Sequence, residues 1–335
     1  HLAKEMGLLK VGKVSTDGTH MKANASINKN ITYKRAKQLK AKLQQDVSEL
    51  LAKAEQADQS SEDHQKLPEE IDRRQKLLSK MDTAIEGLKK KAEAEQKAAE
   101  KAYQEKVKQR KEKEKSTGKL TPGRKPQPPK NTEEIALESK RCHNFTDEES
   151  QVMRKSKLDG YTQSYNVQAT VDADGSYLVL GNHVGEGPND KNELPAAYES
   201  IPEEIGKPTH LLADAGYAST AHLETLSEKV DLYVSVHCED AHKERQYDYR
   251  PPKEKKGKPK QLKNETLLKM KAKLETDEGK AIYRLRSKTV ETVFGIIKQA
   301  IGFRGFTMRG TEKIASEWEL VCTCHNIKRL FNMKQ

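Results

Sequence analysis

The 335-residue sequence is short of what a single dense core requires. Aromatic residues make up 5% of it and hydrophobic residues 34%, against 34% charged, so some long stretch must be solvated instead of packed. Tryptophan occurs once and cysteine four times, at Cys142, Cys238, Cys322 and Cys324. These cysteines are not spaced as a framework of pairs, and a chain of this size needs no disulfide staple, which fits a reducing compartment. No run approaches the roughly 18 apolar residues of a membrane-spanning helix, and His1 to Leu9 lack the charged-then-apolar pattern of a secretory leader. A cytoplasmic protein without a membrane partner is the expectation. The chain opens on His1 and not on Met, so a natural N-terminal part is expected to be missing from it.

What is abundant is positive charge. The 62 Lys and Arg residues exceed the 51 Asp and Glu residues, giving a net charge of +11. Such an excess suits a protein that displaces counterions from a polyanion, although many basic proteins touch no nucleic acid.

The composition is uneven along the chain. Lys10 to Gly18 read as a short strand that ends in an acidic residue and a turn glycine. From Ile31 to Lys130 the sequence turns to Lys, Glu, Gln and Ala. There Ala36, Leu39, Leu43, Val47, Leu50, Leu51 and Ala54 draw one apolar stripe along a helix. A second helix follows Pro68, with Ile71, Leu78 and Ile85 spaced by seven and Arg74, Met81 and Leu88 likewise, a heptad seam with one polar defect. It continues as a charged run to Lys115, and Pro122, Gly123, Pro126, Pro128 and Pro129 end it in an extended linker. The predicted organisation is a first core segment over 1–30, a helical hairpin over 31–115, a linker over 116–140 and the rest of the core over 141–335.

Beyond the linker, Tyr165, Val167, Ala169 and Val171 alternate with polar residues, Asp174-Gly175 supplies a turn, and Tyr177 to Leu180 return as a second strand. Asn189-Asp190 opens a helix, with Glu193 at capping-box spacing. Leu211-Leu212-Ala213 is a buried strand ending at Asp214, a helix covers Thr220 to Lys229, and Leu232 to Val236 is a further strand. After a basic loop over Arg250 to Lys263 the chain is helical, with Val290, Val293, Phe294, Ile297 and Ile301 as an apolar stripe. A hairpin followed by helix-separated strands predicts a mixed α/β sheet.

Three acidic residues stand at distinctive places: Asp17 at the end of the first strand, Asp214 at the end of Leu211-Leu212-Ala213, and Glu291 on the striped helix. Strand ends and a packed helix can bring such carboxylates together. Oxygen-only clusters suit Mg²⁺ or Mn²⁺, and two such ions can serve in-line displacement at a phosphodiester. Each carboxylate taken alone also reads as a cap or a surface charge.

These segments resemble the DDE transposases of bacterial insertion sequences, in the branch whose last motif is Tyr-x2-Arg-x3-Glu-x6-Lys. Tyr283, Arg286, Glu291 and Lys298 carry that likeness, with one departure: four residues separate Arg286 from Glu291, so Ser287 occupies the position four before Glu291. Asp-Gly-Thr at 17–19 and Ala-Asp-Ala-Gly-Tyr at 213–217 resemble the first two motifs. The hairpin from Gly160-Tyr161, the Asn189-Asp190 turn, and Phe303-Arg304-Gly305-Phe306 through Arg309-Gly310 also have counterparts. The resemblance spans about residues 5–30 and 140–335. It implies a ribonuclease-H-like mixed sheet flanked by helices, with a helical insertion between the first and second strands. It further implies a catalytic, metal-binding triad of Asp17, Asp214 and Glu291 holding two Mg²⁺ or Mn²⁺ ions. Double-stranded DNA, both transposon ends and target, is the implied partner, met through Lys298, Arg286, Tyr283, Tyr217, Arg304 and Arg309 by a homo-oligomer in the bacterial cytoplasm and nucleoid. Relatives of this type read their terminal repeats with an N-terminal helical domain, and nothing before Asp17 is long enough to supply one. Two rivals stand beside this reading, a nuclease of the same fold without strand transfer and a non-catalytic DNA-binding or coiled-coil scaffold.

Cys322-x-Cys324-His325 sits in an apolar helical pattern with Trp318, Leu320, Val321, Ile327 and Leu330, which favours core packing over metal binding. His237-Cys238, adjacent on a strand, point to opposite faces and do not form a nucleophile and base. His20 and Lys22 read equally as phosphate contacts or solvated turn residues, and Tyr217, just after Asp214, reads as packing under the site or stacking on a displaced base, the family likeness alone favouring a role in handling DNA ends. Lys106 to Lys115 favour a solvated helix face, and the Arg250 to Lys263 loop stands evenly between DNA contact and solvated loop.

Overall fold

The computed structural model describes residues 1–60, 67–118, 123–154, 160–185, 187–236 and 264–334. His237-Cys238 and the basic loop over 250–263 lie outside the described residues. In chain order the elements begin with α1 (Leu2–Glu5), β1 (Lys13–Lys22), β2 (Asn30–Thr32), α2 (Tyr33–Ser60), α3 (Leu67–Thr117), α4 (Thr132–Glu138), β3 (Cys142–Asn144), β4 (Gln151–Met153) and β5 (Thr162–Asp172). They continue with β6 (Val179–Val184), α5 (Leu194–Glu199), β7 (His210–Ala213), α6 (Thr220–Ser227), β8 (Asp231–Val234), α7 (Glu265–Glu275), α8 (Asp277–Tyr283), α9 (Leu285–Gly295) and α10 (Thr311–Lys334). The chain divides into two compact units, one of His1–Asn24 with Glu149–Gln335, the other of Ala25–Glu148.

The Ala25–Glu148 unit is built on α2 and α3, whose apolar stripes meet: Ala36, Met81 and Ala84 are buried together, with Leu39, Leu43 and Ile85 packed against them. Arg74, the polar defect of the heptad seam, is paired: its guanidinium reaches Asp46 on α2 at 2.6 Å and Glu70 at 2.9 Å. The predicted linker contains a helix. Asn131 and Glu134 form a reciprocal capping box that starts α4, and Ala136 packs with Tyr33, Leu88 and Ala92. The predicted edges at 30/31 and 140/141 fall inside this unit because β2 and β3 pair antiparallel, Asn30 opposite Asn144 and Thr32 opposite Cys142.

The other unit is a mixed sheet. β5 pairs antiparallel with β1, β4 and β6, while β1 with β7 and β7 with β8 are parallel. Alternation along the strands sends Tyr165, Val167, Ala169, Val171 and Met21 into one core with Val290, Val293, Phe294 and Ile297 near or on α9 and with Trp318 of α10. Val14, Leu211, Ala213, Leu232 and Val234 form the opposite core, with Leu194, Tyr198, Leu223 and Leu226 of α5 and α6.

Three sequence expectations change here. The first strand does not end at Asp17: β1 continues to Lys22, with Asp17 opposite Ala169 and Gly18 opposite Gln168 inside the sheet. The polar positions of β5 do not face water: Ser164, Asn166, Gln168, Thr170 and Asp172 are all buried, because the sheet is covered on both faces and this stripe belongs to a polar interior. The capping box at Asp190 does not form either. Asn189 supplies no side-chain cap, Asp190–Asn192 is a single 3₁₀ turn, and α5 starts only at Leu194. Asp190 and Glu193 have other partners, described below.

α10 also departs from its apolar pattern. Trp318, Val321, Cys322 and His325 are buried, whereas Leu320, Ile327 and Phe331 are exposed. His325 pairs through Nε2 with the Tyr177 carbonyl at 3.1 Å, and burial pushes the Cys322 thiol up to about 12. Both act as core residues. Among the described residues, no helix is long and apolar enough to cross a membrane.

Candidate active site

β1 and β7 run side by side with Ser15 opposite Leu212. Two residues further on, the register brings Asp17 and Asp214 to the same level, on the sheet face that carries α9. Asp17 accepts the Gly18 backbone N–H at 2.8 Å. Asp214 caps the turn Ala215–Tyr217 by accepting the Gly216 N–H at 2.7 Å. Burial, then the charge of Asp214, push the Asp17 carboxyl up to about 7 against the opposing help of the Gly18 N–H and Arg286; Asp190 adds to the rise. Like charges held this close are what a cation would relieve.

Glu291 approaches through Arg286. The Arg286 guanidinium, 11% exposed, stands 3.5 Å from Asp17 Oδ2 and 3.8 Å from Glu291 Oε1, and lies over the Tyr283 ring at 5.9 Å. Glu291 itself is 57% exposed. Among the described residues, no three His, Cys, Asp or Glu side chains stand close enough as they are to hold one metal ion. The donor set nonetheless suits a hard divalent cation: oxygen ligands only, partly buried, with Asp17 and Asp214 held close enough to repel each other.

Lys298 does not lie on regular α-helix. α9 ends at Gly295 and a π-helical turn, Ile296–Ala300, carries Lys298; such widened turns recur at functional sites. Its ammonium donates to Thr19 Oγ1, two residues along β1 from Asp17 and on the same face. Arg304 and Arg309 are exposed on the loop that follows, Arg304 bonded to Gln299 and to the Lys298 carbonyl, Arg309 to the Asn24 carbonyl.

Tyr217 packs under the site, the first of its two readings, and not on the DNA-facing surface that the family likeness favours. Its side chain is fully buried, its hydroxyl donates to Gln168 Oε1, and burial together with neighbouring carboxylates holds its proton well above the usual range. The ring forms the floor of the site, and contact with a base requires it to leave the core.

Sequence reasoning missed the group under that floor. Asp190 Oδ1 accepts from Asn166 Nδ2 at 2.8 Å and Gln168 Nε2 at 2.7 Å. Glu193 pairs instead with His183 Nε2 at 3.0 Å. The available signal was the amide-bearing pair Asn166 and Gln168 among the polar positions of β5.

A family model described as a transposase DDE domain matches residues 138–327. The matched stretch holds Asp214 and Glu291, and Asp17 precedes it. No curated protein and no solved structure matches the chain.

Proposed function

Because the chain belongs to the transposase DDE-domain family, we propose that it cuts transposon-end DNA and joins the ends to target DNA at a centre formed by Asp17, Asp214 and Glu291. The observation that carries this reading is the convergence of Asp17 and Asp214 from neighbouring parallel strands into mutual repulsion, with Glu291 linked to Asp17 through one guanidinium. The sheet order, with β5 antiparallel to β1 on one side and paired beyond with β4 and β6, and with β7 and β8 parallel to β1 on the other, supports a ribonuclease-H-like core.

Asp17, Asp214 and Glu291 are the residues that would hold Mg²⁺ or Mn²⁺, two ions in this reading. When bound, such ions supply Lewis acidity at the phosphodiester and favour ionisation of the attacking hydroxyl. The protein's own part is positional. Gly18 and Gly216 N–H groups aim the two aspartates, Lys298, bonded to Thr19 two residues along β1 from Asp17, offers a cation for a substrate phosphate, and Arg304 and Arg309 extend that basic edge toward the DNA backbone. Tyr283 and Arg286 are proposed to join that contact when DNA replaces the carboxylates as the partner of Arg286. The likeness of Tyr283, Arg286, Glu291 and Lys298 to one branch of bacterial insertion-sequence enzymes suggests action as a homo-oligomer on nucleoid DNA in the cytoplasm.

Asp214→Asn is the direct test. It is expected to abolish Mg²⁺- or Mn²⁺-dependent strand cleavage of linear DNA while circular dichroism and the melting temperature stay near those of the wild type. Retained cleavage would remove Asp214 from the centre.

A further inference from the structure

The sequence marks Asp190 and Glu193 as a helix cap, and neither side chain caps. Asp190 turns away from its own backbone and takes both side-chain amides of the buried strand, from Asn166 and Gln168, on the one oxygen Oδ1. Gln168 is in turn held by the buried Tyr217 hydroxyl through Oε1, which fixes which end of its amide faces Asp190. Tyr217 follows Asp214 by three residues, so one chain of contacts joins the turn behind Asp214 to Asp190.

The same carboxylate lies against β1. Gly18 is opposite Gln168 in the sheet, and a methyl group there would strike Gln168 Nε2 and Asp190 Oδ1, with Asn166 Oδ1 at 3.0 Å. Asp17 points to the α9 face of the sheet and Gly18 to the other, so Asp190 supports β1 at Asp17 from beneath. Asp190 Oδ2 is on the side of the Asp214 turn, 3.7 Å from where a Cβ on Gly216 would stand. Among the described residues it receives no hydrogen bond.

We propose that Asp190 is a positioning residue of the carboxylate centre: a fixed negative charge that braces β1 at Asp17 and the Asp214 turn together and strengthens cation binding there without holding the cation itself. The proposal rests on the reading of that centre given above. A carboxylate fixed by two amide donors keeps its charge in place at no cost in reorganisation when a cation arrives. A neutral amide of the same shape keeps one acceptor and the packing but removes the charge, which separates this role from a purely structural one.

Mn²⁺ binding to the full chain, followed by electron paramagnetic resonance without DNA, tests it. Asp190→Asn is expected to weaken Mn²⁺ binding on the order of tenfold, with melting temperature and metal-free DNA affinity close to wild type, while the exposed control Asp277→Asn changes nothing. The isosteric Tyr217→Phe, which releases Gln168, is expected to weaken binding about threefold. Unchanged Mn²⁺ affinity in folded Asp190→Asn overturns the proposal; if that variant does not fold, unchanged affinity in Tyr217→Phe does so. A wild type that binds no Mn²⁺, or an Asp214→Asn protein that binds it equally well, overturns the underlying reading of the centre instead.

Discussion

Asp17 is the residue whose chemistry is most exposed to its surroundings. Its carboxyl titrates at about 7, against an ordinary 3.8, through burial and the nearby Asp214 charge. A raised value means that the folded protein holds this proton more tightly than the unfolded chain does. Between pH 4 and 7 the unfolded chain has already lost the proton, so stability falls as pH rises through that window and stays lower above it. In the presence of a chelator, Asp17→Asn is expected to stabilise the protein by up to roughly 4 kcal/mol at pH 8 and by little at pH 4. Urea unfolding at the two pH values checks this; an equal effect at both would show that ionisation of Asp17 is not involved. Asp214 was legible in the sequence because it follows the last residue of a strand and precedes a turn; Asp17 was singled out for the same reason, but its strand runs on to Lys22, because Gly18 continues the sheet instead of turning out of it. Asp190 was not legible, since its spacing to Glu193 fits a local cap and nothing local announces that Asn166 and Gln168, more than twenty residues earlier, compete for it.

The elements that present these residues were easiest to read where one face alone is buried. α2 and α3 show their stripe plainly, and even Arg74 in the seam is explained by a partner, Asp46, that only the pairing of the two helices reveals. β5 shows the opposite case. Its alternation is real, but both halves are buried, so the pattern separates an apolar core from a polar one instead of core from water. α10 misled in the other direction, because Leu320, Ile327 and Phe331 continue an apolar pattern onto an exposed face. Its anchor is Trp318, fully buried, with Nε1 donating to the Gln168 carbonyl at 3.0 Å. Trp318→Ala is expected to cost about 3–5 kcal/mol and, by loosening β5 at Gln168, to depress Mn²⁺ binding as well. Chemical unfolding measures the first; a loss under about 1 kcal/mol would mean that α10 is not anchored there.

At the scale of the whole molecule the charge balance governs how DNA is met. With a net charge of +11 and exposed arginines beside the centre, binding is expected to be weak, indifferent to sequence and steeply dependent on salt. Arg304→Ala and Arg309→Ala should each lower the slope of log K against log salt by about 1. Fluorescence anisotropy across a salt series measures this, and tight protection of one defined sequence at physiological salt would contradict it.

The pairing of β2 with β3 has a bearing on how the sheet comes to close. β1 finds both of its neighbours, β5 and β7, only after the whole Ala25–Glu148 unit has intervened, and drawing together the ends of so long a span carries an entropic penalty that grows with its length. Asn30 set opposite Asn144 short-circuits most of that span. Once the two strands have met, β1 and β5 are joined by an effective loop of only a few tens of residues, which lowers the closure penalty by about 1–2 kcal/mol. A three-residue strand pair thus lets a long insertion interrupt the catalytic sheet at its second strand while costing little in the search for its native partner.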